Sequence, residues 1–339
     1  MNDLVIRHLQ KNELDDWNCF VDESEYGTIF HKTFWNKALF MLDPAIKLSV
    51  IGCYKQDILV AGAIFGWKKK FQSIRIVVPP YASCFYGIII KERDSSYILK
   101  SERYRYTILN ELLDFVEKEF QLISAALPPE FKDIRIFNWR KYTTRILYTY
   151  QGNISNPEKI IDNFQSDVRR QINKGKKYNY ELKETLDDKH LGSIFSLLEK
   201  SYHKQKHKLQ FNKKQFTNLL RNPDLTANVR AYSIWLDNKP VAALVIIVDG
   251  FTAYYWLAGS DQNYFNTGLN QLLLWLVINA LSKEGITLFD FVGANTLTIA
   301  NYKASFNFEL IPYYHISKVT TKKLKLLLSI KEIFTISGT

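Results

Sequence analysis

Three stretches of this chain combine residue types whose spacing suits chemistry. The first runs from Ile286 to Phe308. A β-favouring apolar run (Ile286, Leu288, Phe289, Phe291, Val292) ends at Gly293, with Asp290 inside it. A buried carboxylate must be paired or hydrogen-bonded, so Asp290 reads as a structural group that fixes the Gly293 turn rather than as a general base. A short helical piece, Thr298 to Ser305, then delivers Tyr302 and Lys303 just past the strand end, where ligands often sit in α/β sheets. The second stretch, Phe164 to Leu182, reads as a helix that breaks near Tyr178 and carries Arg169, Arg170, Lys174, Lys176 and Lys177. Guanidinium groups grip phosphate or carboxylate through paired hydrogen bonds, which makes Arg169 and Arg170 candidate substrate-binding residues; a solvated basic face explains the pattern equally well. The third stretch, Asn266, Thr267, Gly268 and Asn270, opens a helix and by itself reads as an N-cap. Tyr254 and Tyr255 precede it in a strand, on opposite faces, so one of them can face a site.

Other constellations carry less. His203 and His207 lie four apart and share a helix face, but Lys204 and Lys206 repel a cation and no carboxylate or cysteine is near, so no metal site is expected. No Ser-His-Asp, Cys-His or phosphate-loop pattern stands out.

The elements that must position these residues come in two similar sets. In the first half, strands are expected at Lys47–Tyr54, Ile58–Gly66 and Ser73–Val78, then a loop from Tyr86 to Arg105 holding one apolar piece (Ile88 to Ile90), an amphipathic helix from Thr107 to Phe120 and a strand at Leu122–Leu127. In the second half, strands are expected at Val229–Leu236, Val241–Val248 and Phe251–Ala258, a helix at Leu269–Ser282 and a strand at Thr287–Val292. The order strand-strand-strand-helix-strand occurs twice, and YKQDILVAGAIF resembles LDNKPVAALVII, which indicates an internal duplication.

The closing stretch, FDFVGAN…NYKASFNFE, resembles the end of GNAT-superfamily acyltransferases of the Fem type, which usually read FDFGG…FKKSFG. The matching residues are Phe289, Asp290, Phe291, Gly293, Lys303, Ser305 and Phe306; Val292 and Asn307 stand where that family has glycine. TIFHKTFWNKAL, with Trp35, and the basic helix with its paired arginines are also similar to family phrases. The resemblance implies an α/β protein of two tandem GNAT-like domains, each a mixed, mostly antiparallel twisted sheet flanked by helices. The expected boundaries are 1–150, 151–317 with the motifs, and a basic amphipathic tail at 318–339. It also implies acyl-coenzyme A (acetyl-CoA) as co-substrate and no metal. Asn266, Thr267, Gly268 and Asn270 then become the pyrophosphate cradle, since free N–H groups at a helix start attract anions. Tyr302 becomes the general acid toward the leaving thiolate. Lys303 neutralises charge on the tetrahedral intermediate or holds an acceptor phosphate, its bland alternative being a surface lysine. Arg169, Arg170 and Tyr255 become substrate-binding residues.

Composition bounds the partners. Forty-five Lys and Arg against 34 Asp and Glu give a formal net charge of +11, which suits anionic partners. The expected acceptor is an anionic small molecule or a lipid-linked precursor bearing an amine, such as a nucleotide-linked amino sugar. Alternatives are a Fem-type aminoacyl transfer from charged tRNA and a non-catalytic binding module. Cys19, Cys53 and Cys84 are scattered and odd in number, and the N-terminus has no long apolar run, so a reducing cytosolic compartment without a signal peptide is expected. The tail, with Lys318, Lys322, Lys323, Lys325 and Lys331 among leucines, suggests a peripheral membrane contact or a helix docked on the protein.

Overall fold

The computed structural model describes residues 4–70, 73–93, 95–204, 208–321 and 324–325. His207, Lys206 and most of the 318–339 tail lie outside the described residues. The chain divides into two compact units: Met1–Ile146 with Tyr313–Thr339, and Leu147–Pro312.

Unit 1 contains β1 (Leu4–His8), α1 (Leu14–Glu23), α2 (Thr33–Phe40), β2 (Lys47–Lys55), β3 (Ile58–Lys70), β4 (Ile74–Val78), β5 (Gly87–Ile90), α3 (Ile98–Glu119), β6 (Leu122–Leu127), α4 (Arg135–Trp139) and the start of β7 (Thr143–Asn153). Unit 2 contains the rest of β7, then α5 (Pro157–Asn163), α6 (Ser166–Gly175), β8 (Tyr180–Glu184), α7 (Asp188–Lys204), α8 (Lys213–Leu220), β9 (Val229–Leu236), β10 (Lys239–Asp249), β11 (Thr252–Ser260), α9 (Leu269–Lys283), β12 (Leu288–Asp290) and α10 (Leu297–Ala304). The last strand, β13 (Glu309–Val319), pairs with β6 from Tyr314 onward.

In unit 1 the strand order is β1-β2-β3-β4-β6-β13, with β5 also on β3; in unit 2 it is β7-β12-β11-β10-β9-β8. Pairing is antiparallel except β4 with β6 and β11 with β12. The strand that follows β6 in sequence thus lies beside β12, and the strand that follows β12 lies beside β6. Each unit is an α/β layer with its own apolar core. The unit 1 core is built on Trp17, Ile51, Phe65, Leu112 and Phe120, the unit 2 core on Ile246, Leu272, Ile278, Phe289 and Phe306. The duplicated strand-strand-strand-helix-strand order is present in both, as β2-β3-β4-α3-β6 and β9-β10-β11-α9-β12.

Two expectations are corrected. The segment Tyr86 to Arg105 is no loop: it holds β5, and α3 begins at Ile98, well before Thr107. The first buried residue of α3 is Ile108, so its opening turns lack the apolar periodicity that marks a helix in sequence. They are held instead by ion pairs, Glu102 to Arg135 and Arg105 to Glu92 and Asp133. The strand expected to reach Val292 stops at Asp290, because side chains capture the backbone groups that would extend the ladder, as described next.

Candidate active site

The pairing of β11 with β12 in unit 2 is short. Thr252, Ala253 and Tyr254 lie opposite Leu288, Phe289 and Asp290, and there the ladder ends while β11 runs on to Ser260. The two parallel strands therefore part and leave a wedge along β11. At the same place β11 carries a bulge against β10: Tyr255 pairs with Ile246 and Leu257 with Val245, leaving Trp256 over. Bulges re-aim side chains and recur beside active sites.

The end of β12 is fixed by Asp290 and Lys303. Asp290 is fully buried. One carboxylate oxygen accepts from the Thr149 hydroxyl and from the Val292 N–H at 2.7 Å; the other accepts from Gln151 Nε2 at 2.9 Å. Burial raises its pKa above the usual carboxylate value, partly offset by these donors and by the charge of Lys303. Lys303 is 6% exposed, so it is not a surface lysine. Its ammonium donates to the carbonyls of Phe291 (2.8 Å), Val292 and Gly293 (2.9 Å). A lysine has three N–H donors, so these three bonds use its capacity. The turn they hold is left-handed at Val292 (φ 41°) and Gly293 (φ 53°), and Asn307 is left-handed too (φ 57°). Both places where the family pattern has glycine thus keep a glycine-like backbone with other residues on it. For Asn this is tolerated; for β-branched Val it is strained.

Tyr302 lies across the wedge from β11. Its hydroxyl oxygen accepts from Asn270 Nδ2 at 3.2 Å, and it shares a hydrogen bond with the Tyr255 hydroxyl in which either can donate. Burial raises the pKa of both phenols, and the neighbouring Tyr302 raises that of Tyr255 further. The Lys303 ammonium sits 5.6 Å from the centre of the Tyr255 ring. Tyr202 of α7 is also close enough to act electrostatically on Tyr255.

The helix start beside the wedge is built on Gly268, the left-handed cap of α9 (φ 79°). The Thr267 hydroxyl donates to the Tyr264 carbonyl at 2.6 Å and accepts the Leu269 N–H at 3.3 Å. The Asn270 and Gln271 N–H groups have no acceptor among the described residues, as expected for a first helical turn. Gly268 has a second duty: a Cβ there would stand 2.0 Å from the Gln171 carbonyl oxygen, so α6 packs directly on the start of α9. Asn266 is exposed. Arg169 and Arg170 are on the solvent side of α6, with Arg170 paired to Asp167 at 3.0 Å, and no contact joins them to Tyr302.

The structure thus brings together Asn270, Tyr255, Tyr302 and Lys303, sets Thr267 and Gly268 at the adjoining helix start, and leaves Asn266, Arg169 and Arg170 outward. Sequence reading missed Thr149 and Gln151, the partners of Asp290. They come from β7, and no local signal links them to a carboxylate so distant along the chain. Beside Gln151 lies a cavity of about 290 Å³ lined also by Asn153, Asn163, Asn307, Phe308 and Glu309, a lining that suits neutral polar groups better than a diphosphate.

The corresponding place in unit 1 is closed. After Ile76 pairs with Leu122, the chain leaves β4 and returns to exchange two backbone bonds between Tyr86 and Ala126 (2.9 and 3.0 Å). Gly87 (φ 111°) then lies so close that a Cβ would stand 2.5 Å from that of Ala125. Among the described residues no cluster of three or more His, Cys, Asp or Glu could hold a metal, and no helix is long and apolar enough to cross a membrane.

Residues 162–304 match the family model described as acetyltransferase (GNAT) domain, a span that contains the whole wedge. No curated protein sequence matches the chain. Among solved structures, FemX shares 11% identity over 95% of this chain and 99% of its own, with a TM-score of 0.74. A tandem GNAT protein from the clavulanic acid biosynthesis pathway shares 10% identity over 94% of this chain and 99% of its own (TM-score 0.54). L-PGS from Bacillus licheniformis shares 12% over 97% of each (TM-score 0.54). At such identities the likeness is one of fold.

Proposed function

Taking as premise that the chain belongs to the Fem-type, tandem-domain group of GNAT N-acyltransferases, we propose that it moves an acyl group, acetyl in the simplest case, from coenzyme A to the amine of an anionic acceptor. A nucleotide-linked amino sugar or a lipid-linked envelope precursor has the right chemistry for the net charge of +11. The observation that carries this reading is the early end of the β11–β12 ladder at Tyr254 and Asp290, with unpaired N–H groups at the start of α9 beside it. An extended donor arm can lie along the edge of β11 short of Ser260, whose backbone groups are held by the Ser201 hydroxyl, and its diphosphate can meet the Asn270 and Gln271 N–H groups.

In this reading the amine attacks the thioester carbonyl directly. The carbon–nitrogen bond forms, the carbon–sulfur bond breaks, and the thiolate takes a proton. Tyr302 supplies it: Asn270 donates to its oxygen and Tyr255 can do the same, which stabilises the phenolate left behind. Tyr255, bonded to that hydroxyl, can pass on its proton in turn. Lys303 acts at one remove, by holding the Phe291–Gly293 turn that walls the wedge. The test is single-turnover acetyl transfer to amino-sugar nucleotides, with Tyr302→Phe reducing the rate and leaving donor affinity unchanged.

A second reading, aminoacyl transfer from charged tRNA, is supported by the exposed cations of α6 and the turn after it (Arg169, Arg170, Lys174, Lys176, Lys177), α6 itself packing on the start of α9. Its mark would be tRNA binding that weakens steeply with salt, and no affinity for coenzyme A.

A further inference from the structure

The opening turn of α3 carries three consecutive apolar side chains in water: Tyr97 is 64% exposed, Ile98 77% and Leu99 57%. Scattered exposed apolar residues are ordinary; a contiguous run at one tip is not. The run does nothing for the unit 1 core, since the first apolar residues of α3 that pack on it are Tyr104 and Tyr106.

Cations surround the tip. The Lys100 ammonium lies 4.7 Å over the Tyr97 ring. Tyr104, about two turns further along the helix, has Lys55 at 5.5 Å and Arg93 at 6.0 Å from its ring centre. Among the described residues Lys55, Arg93, Lys100 and Arg103 have no carboxylate partner, whereas neighbouring Lys91 is paired with Glu23 at 2.7 Å. An apolar point, an aromatic ring at its base and a belt of uncommitted cations behind it is the arrangement that suits a bilayer surface: the point enters the acyl boundary and the cations meet phosphate. An exposed tip of this kind fits a deformable lipid surface, where a protein partner would need a matching pocket.

We propose that the first turn of α3 is a docking tip for an anionic lipid surface. This deepens the lipid-linked version of the acceptor reading above, yet its test involves no acyl donor, so the two can fail separately. The experiment is flotation of the full chain with vesicles of phosphatidylcholine alone and of phosphatidylcholine with phosphatidylglycerol. The protein should float with the anionic vesicles only, and added salt should weaken the binding. Ile98→Ser with Leu99→Ser should reduce it about tenfold or more without changing thermal stability, because neither side chain is in the core. Arg93→Glu with Lys100→Glu should reduce it as well. Absence of binding to anionic vesicles overturns the proposal. So does binding that survives the Ile98/Leu99 change and is lost when Lys322 and Lys323 of the tail become Glu. If the Ile98/Leu99 change instead turns a dimer into a monomer by light scattering, the tip is a contact between copies of the chain, and the proposal fails.

Discussion

Replacing Lys303 by Met removes the ammonium while keeping the length of the side chain. Three hydrogen bonds are lost at once, to the carbonyls of Phe291, Val292 and Gly293. Gly293 is exposed and its carbonyl can turn to water, but Phe291 is fully buried and its carbonyl cannot. The buried Asp290 also loses the charge that favours its ionised form. Removing one member of such a buried charged network costs roughly 3–5 kcal/mol. At about 2–4 °C per kcal/mol for a unit of this size, the melting temperature of unit 2 should fall by about 10 °C. Scanning calorimetry is the assay, because two units can melt as separate transitions and only one should move. An ammonium that served the reaction alone would behave differently. A shift below about 2 °C with turnover abolished would refute the clamp and restore Lys303 as a catalytic charge.

Other consequences can be checked beside it. Val292→Gly should stabilise by about 1 kcal/mol, read as a raised urea midpoint, because a β-branched residue at φ 41° is strained and glycine is not. Gly268→Ala should destabilise well beyond Gly285→Ala; both have positive φ, but only the first would drive a Cβ into the Gln171 carbonyl, whereas the second meets open space. His31 is fully buried, and burial lowers its pKa to about 3 from 6.5. Above pH 6.5 its contribution to stability is complete. Between pH 6.5 and 3 the unfolded chain binds a proton that the folded chain refuses, so stability should fall by up to about 1.4 kcal/mol per pH unit, and His31→Gln should flatten that slope in urea titrations. Tyr302→Phe should lower kcat about a hundredfold or more with little change in KM, and because burial raises the phenol pKa, the wild-type rate should hold well into the alkaline range.

Much of the fold could be read from local pattern. The doubled strand-strand-strand-helix-strand order showed in turn residues and apolar runs, since Asp249-Gly250 and Lys55-Gln56-Asp57 mark hairpins whatever surrounds them. The structural part of Asp290 was also legible, because a carboxylate in an apolar run needs partners. Which partners it has was not: Thr149 and Gln151 reach it through strand pairing between distant segments, and register leaves no mark on either segment alone. The burial of Lys303 was hidden for a related reason, since three carbonyls of the backbone receive it and sequence does not show where a backbone turns. Gly268 was read for its freedom of φ, whereas the approach of α6 makes equal use of its missing Cβ. The opening of α3 escaped because ion pairs hold it, and those leave no periodic trace.

Hydrogen–deuterium exchange with and without acetyl-coenzyme A tests the central claim most directly. At a hundred times its dissociation constant the donor should stabilise the site by about 2.7 kcal/mol, ample to slow exchange. Protection is expected in β11 from Tyr255 to Ser260 and at the start of α9 from Gly268 to Leu272, with none in unit 1 between Ile76 and Ile90. Protection in that unit 1 segment, or in neither, would contradict a donor wedge in unit 2.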